Sequence, residues 1–289
     1  MSCEWLFVDG SSLIFRAFHG VPATVRSPDG RQINAVRGFL ETLTRLIHSR
    51  RPHGLAVASD EDWRPAWRVE LIPSYKAHRT AEPIPPDLEP QMPVIHELLD
   101  AIGVDFIGAP QHEAEDVIAT WAARAHGTVE IVSGDRDLFA LVEDPRVVVL
   151  YPEKGGMAVV DEAEVTRRYG IPGRRYAEYA VLRGDPSDGL PGLKGVGSVT
   201  AAALVRSHAT QTALLQHGRF SADQRAYLDR ALRVTRPVAD LPIAVPTGGV
   251  RVYPRDHETL SRLANQNGLE APCDRLVQAL TSVVKGGGN

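Results

Sequence analysis

The amino-acid sequence predicts a layered α/β domain followed by a smaller helical module. Through the first half, short apolar runs alternate with segments whose apolar residues recur at helical spacing, which is typical of an α/β layered domain. After about residue 160 the apolar runs stop and helical patterns continue alone. We therefore expect a boundary near 160–170, in a chain whose 289 residues suffice for one large domain or two modest ones.

Five apolar runs predict the strands of a central, mainly parallel sheet. They are "EWLFVDG" (4–10), "GLAVASD" (54–60), "VDFIGA" (104–109), "VEIVSGD" (129–135) and "VVVLYP" (147–152). Ligands of open α/β sheets bind beyond the carboxyl ends of the strands. Three of these runs end in aspartate, so Asp9, Asp60 and Asp135 are expected at one edge, although each alone would more often be a cap or turn residue.

Helices are predicted between these strands at 35–51, 93–103 and 112–127. In the third, "HEAEDVIATWAARAHG", the spacing puts Glu113 and Asp116 on one face and Glu115 further round. Acids in a first turn are favoured by the helix dipole, but one acid is enough for that, and this turn holds three.

The segment 64–91 fits neither a strand nor a clean amphipathic helix. Cations and aromatic residues alternate before a proline-rich stretch: Arg64, Trp67, Arg68, Tyr75, Lys76 and Arg79. A solvated connector has this composition. So does a mobile element that holds a phosphodiester strand, and the residues alone leave both interpretations open.

Helical patterns at 161–170, 174–184, 198–208, 221–234 and 257–268 form the second module. Ahead of the third, "GLKGVGSVTAAAL" (192–204) fits a helix–hairpin–helix motif, with the hairpin at Gly195-Val196-Gly197 beside Lys194. The backbone amides and helix N-terminus of such a motif hold phosphate oxygens without reading bases. A plain glycine turn between two packed helices is the alternative.

Acidic residues accumulate at the points where chemistry is expected. The strand ends and the helical turn contribute six acids, Asp137 follows in "SGDRDL", and two aspartates precede the glycine hairpin at 185 and 188. Carboxylates beside a phosphate cradle require a cation between them. Oxygen ligands without His or Cys suit Mg²⁺ or Mn²⁺, and two such ions can catalyse phosphodiester hydrolysis.

Composition sets outer limits on location and partners. A net charge of −4 and a pI near 6.2 argue mildly against a nucleic-acid partner, unless the acids are concentrated at one metal site. Cys3 and Cys273 match no metal or disulfide spacing, and no run is apolar enough for a membrane anchor or signal peptide. A reducing cytoplasm is therefore the expected location.

Five motifs resemble the 5′–3′ exonuclease and flap endonuclease family, which includes the N-terminal nuclease domain of bacterial DNA polymerase I. They are "LFVDGSSLIFRAFHG", "WRVELIPSYKAHR", "EAEDVIATWA", "SGDRDLFALV" and "GDPSDGLPGLKGVG", and the similarity extends from about residue 4 to 260. The resemblance implies a PIN-like α/β nuclease domain (1–165) with a helical arch at about 64–91. It also implies a helical C-terminal domain (166–289) with the helix–hairpin–helix. No polymerase pattern follows, so a stand-alone enzyme is expected.

The resemblance also implies a role for each matched residue. One metal site would use Asp9, Asp60, Glu113, Asp116 and Asp135; a second would use Asp137, Asp185 and Asp188, with Glu115 near both. Arg16, Arg68, Lys76 and Arg79 would be the catalytic cations, the last three meeting the scissile phosphate from the arch. Lys194, Gly195, Val196, Gly197 and Ser198 would bind duplex DNA, with K⁺ held around Val196 and Ser198.

Three positions depart from the family pattern. Glu115 stands where Asp is usual, and Gly189 replaces the usual Asn after Asp188. One extra residue between Asp60 and Arg68 leaves Asp60, Glu61 and Asp62 as alternatives for one ligand position, of which Asp60 is preferred because it ends the strand.

The sequence-based prediction is a Mg²⁺- or Mn²⁺-dependent structure-specific 5′ nuclease, both 5′–3′ exonuclease and flap endonuclease. It would act on DNA flaps, nicks and branches in replication and repair, as a monomer associated with the nucleoid and working with a separate polymerase and ligase. Two alternatives remain: a non-catalytic flap- or junction-binding protein that keeps the fold, and a ribonuclease of the wider PIN group. The complete acid set disfavours the first, and the helix–hairpin–helix disfavours the second.

Overall fold

The computed structural model describes residues 3–80, 84–249 and 252–286. Within these ranges the strands form one six-stranded sheet. The strand order is β3-β2-β1-β4-β5-β6, where β1 to β5 are parallel and β6 runs antiparallel to β5. The strands are β1 Trp5–Asp9, β2 Gly54–Ala58, β3 Asp105–Ile107, β4 Val129–Val132, β5 Val147–Glu153 and β6 Gly156–Val160. The five predicted strands are confirmed, and β6 was not predicted.

Helices cover both faces of the sheet and continue after it. They are α1 Gly10–Gly20, α2 Asn34–Arg50, α3 Ala66–Leu71, α4 Gln91–Ile102, α5 Ala114–Arg124, α6 Glu162–Tyr169, α7 Tyr176–Arg183, α8 Ser198–Ser207, α9 Gln211–Leu215, α10 Ala222–Thr235, α11 His257–Asn267 and α12 Glu270–Gly286. Short 3₁₀ turns lie at Ala77–Thr80, Asp137–Leu141 and Gly173–Arg175. None of the helices in the described ranges is long and apolar enough to cross a membrane.

Alternation along β1 divides the interior into two hydrophobic cores. Leu6 and Val8 point to the face covered by α1, α2 and α4, whereas Phe7 points to the face covered by α5. All three side chains are fully buried, as expected for a central parallel strand with helices on both sides. On the α5 face, Phe7 meets Trp121 with ring centroids 5.4 Å apart.

The helices of the C-terminal half divide between these two cores. α7, α8 and α10 pack on the α5 side, while α11 and α12 return to pack against α4 and α2. Leu263 and Leu276 are buried in the same core as Leu43 of α2. Among the described residues after 165 the regular elements are helices, and the last two of these helices share a core with the N-terminal sheet.

Candidate active site

The carboxyl edge of the sheet brings together acids from three strand ends. Asp9 closes β1 and caps α1, because its Oδ1 accepts a hydrogen bond from the Ser12 amide at 2.9 Å. Asp60 lies two residues beyond β2, where its Oδ1 accepts from the Ala114 amide at 2.7 Å. Asp135 follows β4 after three residues. The strands are shorter than predicted, yet the expected convergence at one edge is present.

Ser133 connects two of these acids. Its hydroxyl donates to Asp9 Oδ2 and accepts a hydrogen bond from the Asp135 amide at 2.9 Å. The Asp135 carboxylate in turn accepts a hydrogen bond from the Asp137 amide at 2.9 Å. The side chain that stabilises this turn is therefore that of Asp135 and not that of Asp137. Asp137 is thereby left free to project its buried carboxylate into the cluster.

A cation site is outlined by Glu115, Asp135 and Asp137. One carboxylate oxygen from each lies within 4.8 Å of the others, the only such group found among the described residues. Glu115 is 6% exposed, and its Oε1 accepts no hydrogen bond although Arg68 Nη2 lies 2.8 Å away. Three carboxylates at this spacing, with no His or Cys among them, fit a hard divalent cation such as Mg²⁺ or Mn²⁺.

The pKa values of several buried acids in this cluster are raised, which indicates a shortage of positive charge around them. Burial, followed by the charge of Asp60, raises the pKa of Asp9 to about 7. Burial and the charges of Asp188, Asp135 and Glu115 hold the pKa of Asp137 well above its usual range. Burial also raises the pKa of Asp188, with Asp135 adding to the effect. A bound cation would relieve this repulsion.

A second group of acids is occupied by cations of the segment before α4. Arg68 of α3 is 0% exposed and hydrogen-bonds Glu113 and Asp116, the latter at 2.7 Å. Lys76 donates to the other oxygen of Glu113, and the Tyr75 hydroxyl donates to Glu113 Oε2 at 2.6 Å. Although burial opposes ionisation of Glu113, the charges of Lys76 and Arg68 outweigh it and lower its pKa.

Asp116 is committed to this structural network. Its Oδ1 also accepts from the Val238 amide at 2.8 Å, and its Oδ2 completes a capping box with the Glu113 amide at 3.2 Å. It is fully buried, so every oxygen faces protein. The helix carrying it begins at residue 114 and ends at 124, shorter than the predicted 112–127, and its residues 114–122 are all buried. Arg68 of α3 and Tyr75 occupy the carboxylates of this first turn.

Ser74, Tyr75 and Lys76, which we call the arch base, dock on the loop that carries Asp188. The Lys76 amide donates to the Asp188 carbonyl at 3.0 Å. Gly189 follows with φ +70°, and a Cβ there would lie 2.0 Å from the Ser74 carbonyl oxygen. The change from the usual Asn to Gly at this position thus permits a close backbone approach that another residue would block.

The remaining predicted cations lie at different depths. Arg79 is partly exposed, with Nη2 3.9 Å from Asp188 Oδ1. Arg16 is exposed on α1, the helix that Asp9 caps. Arg68 differs from what the resemblance implies: it faces three carboxylates, not an open surface, because α3 folds it inward.

Asp185 is buried and has partners of its own. Arg136 Nη2 approaches its Oδ2 to 3.3 Å, and the Ser187 amide donates to its Oδ1 at 3.0 Å. Asp185 therefore has counter-charge and donors of its own, in contrast to Asp137.

The predicted hairpin lies between α7 and α8. Gly195 has φ +80°, and Lys194 and Ser198 are exposed beside it, with α8 beginning at Ser198. Ala201 is fully buried and Leu204 partly, as expected for the packed side of α8. The Gly192 amide donates to the Tyr227 hydroxyl of α10 at 3.0 Å, which fixes the start of the hairpin.

Four residues that contact the site were not identified as site residues from the sequence: Tyr75, Ser133, Arg136 and Gly189. Tyr75 was noted only as an aromatic residue among cations, and Gly189 only as a departure from the family pattern. Ser133 and Arg136 gave no signal beyond their closeness to acidic residues in the sequence.

Comparisons with known proteins agree with this geometry. The family model for the 5′–3′ exonuclease N-terminal resolvase-like domain matches residues 4–170. A protein of Streptomyces coelicolor described as a 5′–3′ exonuclease is 45% identical over 96% of this chain and 100% of its own length. One of Mycobacterium tuberculosis with the same description is 42% identical, covering 98% and 99%. DNA polymerase I of Mycobacterium bovis is 35% identical over 96% of this chain, which spans 32% of that protein.

Solved structures share the fold. Flap endonuclease-1 from Methanococcus jannaschii matches with a TM-score of 0.65 at 18% identity, covering 99% of this chain and 94% of that one. The flap endonuclease of bacteriophage T5, crystallised with DNA and metal ions, gives 0.62 at 14% identity, with 97% and 99% covered.

Proposed function

The chain belongs to the 5′–3′ exonuclease family, and from this membership we propose that it is a divalent-metal-dependent, structure-specific 5′ nuclease. It would act as both 5′–3′ exonuclease and flap endonuclease on the phosphodiester bonds of DNA, in replication and repair. The observation that carries the proposal is that Glu115 of α5 and the pair Asp135 and Asp137 after β4 bring one carboxylate oxygen each within 4.8 Å of one another.

The acids are proposed to have two roles: some would bind metal, and others would position the neighbouring cations. Glu115, Asp135 and Asp137 would hold one ion, and Asp9, Asp60, Asp185 and Asp188 would complete the metal-binding cluster. Glu113 and Asp116 would act chiefly by positioning Arg68 and Lys76, since their oxygens are taken by these cations and by backbone amides. When bound, two or more Mg²⁺ or Mn²⁺ ions would supply water activation and charge stabilisation for an in-line displacement.

Three groups of this chain would handle the strand. Arg79 at the arch and Arg16 on α1 would contact phosphates near the cleaved bond, and Lys76 would add its positive charge there from its position against Glu113. The exposed hairpin Lys194–Ser198 would hold duplex backbone through amides and the N-terminus of α8, which gives preference for shape and not for sequence. A K⁺ ion at Val196 and Ser198 belongs to the same proposal.

We keep the division into a nuclease domain (1–165) and a hairpin-bearing helical domain (166–289) as part of the proposal. The chain is also proposed to work as a monomer in the cytoplasm at the nucleoid, beside a separate polymerase and ligase.

The proposal is tested with end-labelled 5′-flap, nicked and blunt duplexes, in Mg²⁺, Mn²⁺ or EDTA, with product lengths resolved. Asp135→Asn should abolish cleavage and leave flap binding largely intact, whereas Asp274→Asn, at an exposed acid on α12, should cut normally. Full activity of Asp135→Asn, or cleavage in EDTA, would refute the proposal. Flap binding by the unaltered chain without cleavage in either metal would identify a non-catalytic binding protein instead.

A further inference from the structure

We propose that α10 carries a second duplex-binding surface, which contacts the phosphate backbone of DNA next to the hairpin. This inference rests on the proposed function and extends it to a part of the chain outside the motifs above. The surface, which we call the α10 arginine face, consists of Arg225, Arg230 and Arg233, all exposed.

The helix presents these three side chains on one side because its other side is buried. Leu228, Ala231, Leu232, Val234 and Thr235 are each at most 2% exposed, and α10 packs against α7 and α3. The arginines fall outside that buried stripe at helical spacing. At a rise of 1.5 Å per residue, Arg225 and Arg233 stand about 12 Å apart along the axis, which corresponds to three or four phosphates of one strand.

These guanidinium groups have no structural task within the described part of the chain. None of the three makes an ion pair or a side-chain hydrogen bond there, although Asp229 is four residues from both Arg225 and Arg233, a spacing at which helical pairs form. Arg236, at the end of the same helix, contrasts with them: it approaches the buried Glu178 to 3.0 Å, as Arg175 does to 2.8 Å. The chain pairs the inner arginines and leaves the outer three available.

The position of α10 directs this charge towards DNA held by the hairpin. Tyr227 accepts from the Gly192 amide at 3.0 Å and donates to the Val181 carbonyl at 3.4 Å, so the helix is bonded to the entry of the hairpin. It also contacts α3, the helix that carries Arg68. A duplex whose phosphates reach Lys194 would therefore run close to α10. In a chain with net charge −4, a row of unpaired arginines here is complementary to a polyanion.

The experiment measures binding of a labelled blunt DNA duplex by fluorescence anisotropy in EDTA, over a series of KCl concentrations. The triple variant Arg225→Gln, Arg230→Gln, Arg233→Gln should lose about 0.9 from the slope of log Kd against log salt for each contact removed. At 0.1 M salt this amounts to about eight-fold weaker binding per contact. A charge-matched control is the triple Arg37→Gln, Arg45→Gln, Arg262→Gln, exposed on α2 and α11 at the opposite face of the sheet, and it should leave the slope unchanged.

The outcomes separate the two proposals. If the α10 triple variant binds with unaltered Kd and slope while Lys194→Gln weakens binding, the α10 inference is wrong and the proposed function stands. Equal losses in the α10 and control variants would also overturn it, because they would indicate diffuse charge and not a surface. Should the triple variant unfold, Arg233→Gln alone must still lower the slope by about 0.9. A wild-type chain that neither binds nor cuts flap DNA in Mg²⁺ fails at the proposed function itself.

Discussion

Gly189 is the residue through which the arch base is held over the acidic cluster, and replacing it provides a quantitative test. In Gly189→Ala the new Cβ would lie 2.0 Å from the Ser74 carbonyl oxygen and 3.4 Å from the Lys76 amide. Both neighbours are backbone atoms, so a side-chain rotation cannot relieve the contact. The loop and the arch base must move apart.

The size of the movement follows from the contact distance. Ordinary van der Waals contact begins near 3.4 Å, so the separation has to grow by about 1.4 Å. Because the Lys76 amide is bonded to the Asp188 carbonyl, Lys76 moves with the loop or loses that bond. Misplacing a catalytic group by about 1 Å can lower the rate ~10²-fold. We expect single-turnover cleavage of a 5′-flap to fall by that factor, with duplex affinity unchanged because the hairpin is untouched.

Gly30→Ala is the matched control, since it separates backbone strain from the clash. Gly30 has φ +89°, and a Cβ added there would meet nothing within 4 Å, so the variant should cost the ~1–2 kcal/mol of left-handed strain without affecting cleavage. Gly189→Asn keeps the clash with little backbone strain, because Asn tolerates a positive φ. It should therefore lower cleavage as Gly189→Ala does. Cleavage by Gly189→Ala within three-fold of the wild type would refute the reasoning.

Two further predictions concern the charges around the site. Arg68→Met leaves three buried carboxylates without their cation and should lower the free energy of unfolding by about 3–5 kcal/mol in urea titrations, whereas the partly exposed Arg79→Met should cost less than about 1 kcal/mol; equal losses would contradict this. The pKa of Asp9 is raised from 3.8 to about 7, so the unfolded chain ionises first. In EDTA, stability should therefore fall from about pH 4 to pH 7 and then level off, and Asp9→Asn should flatten that fall; an identical pH profile would exclude Asp9 as its source.

Most of the sheet could be predicted because its strands are continuous apolar runs. β6 escaped because it is an edge strand with Met157 and Val159 exposed, so it lacks the pattern of a buried strand. α1 escaped for a different reason: it begins directly after Asp9, and its first residues read as a continuation of the apolar run of β1. The boundary between β1 and α1 is marked only by Asp9, which caps the helix with one carboxylate oxygen and accepts from Ser133 with the other.

The site shows the same division between what spacing fixes and what it cannot. Convergence of acids follows from parallel strands that end at one edge, and this was predictable. Which acids stay free was not, because Arg68 lies 48 residues from Asp116 in sequence and reaches it only through the fold of α3. Helical spacing put Glu113 and Asp116 on one face correctly, but it gives no information on what covers that face.

The burial of Arg68, Tyr75 and Lys76 limits where a substrate strand can act on this segment. Arg68, Tyr75 and Lys76 are at most 3% exposed, and their charges and hydroxyl are matched by Glu113 and its neighbours. Moving Arg68 or Lys76 outward would leave buried carboxylates without their cations, at a cost of several kcal/mol for each broken buried pair. Arg79 carries a smaller cost, since its side chain is 41% exposed and its guanidinium lies 3.9 Å from Asp188. Adjustment to an entering 5′ strand is therefore expected at Arg79, while the buried contacts of Tyr75 and Lys76 fix the position of the Lys76 ammonium group.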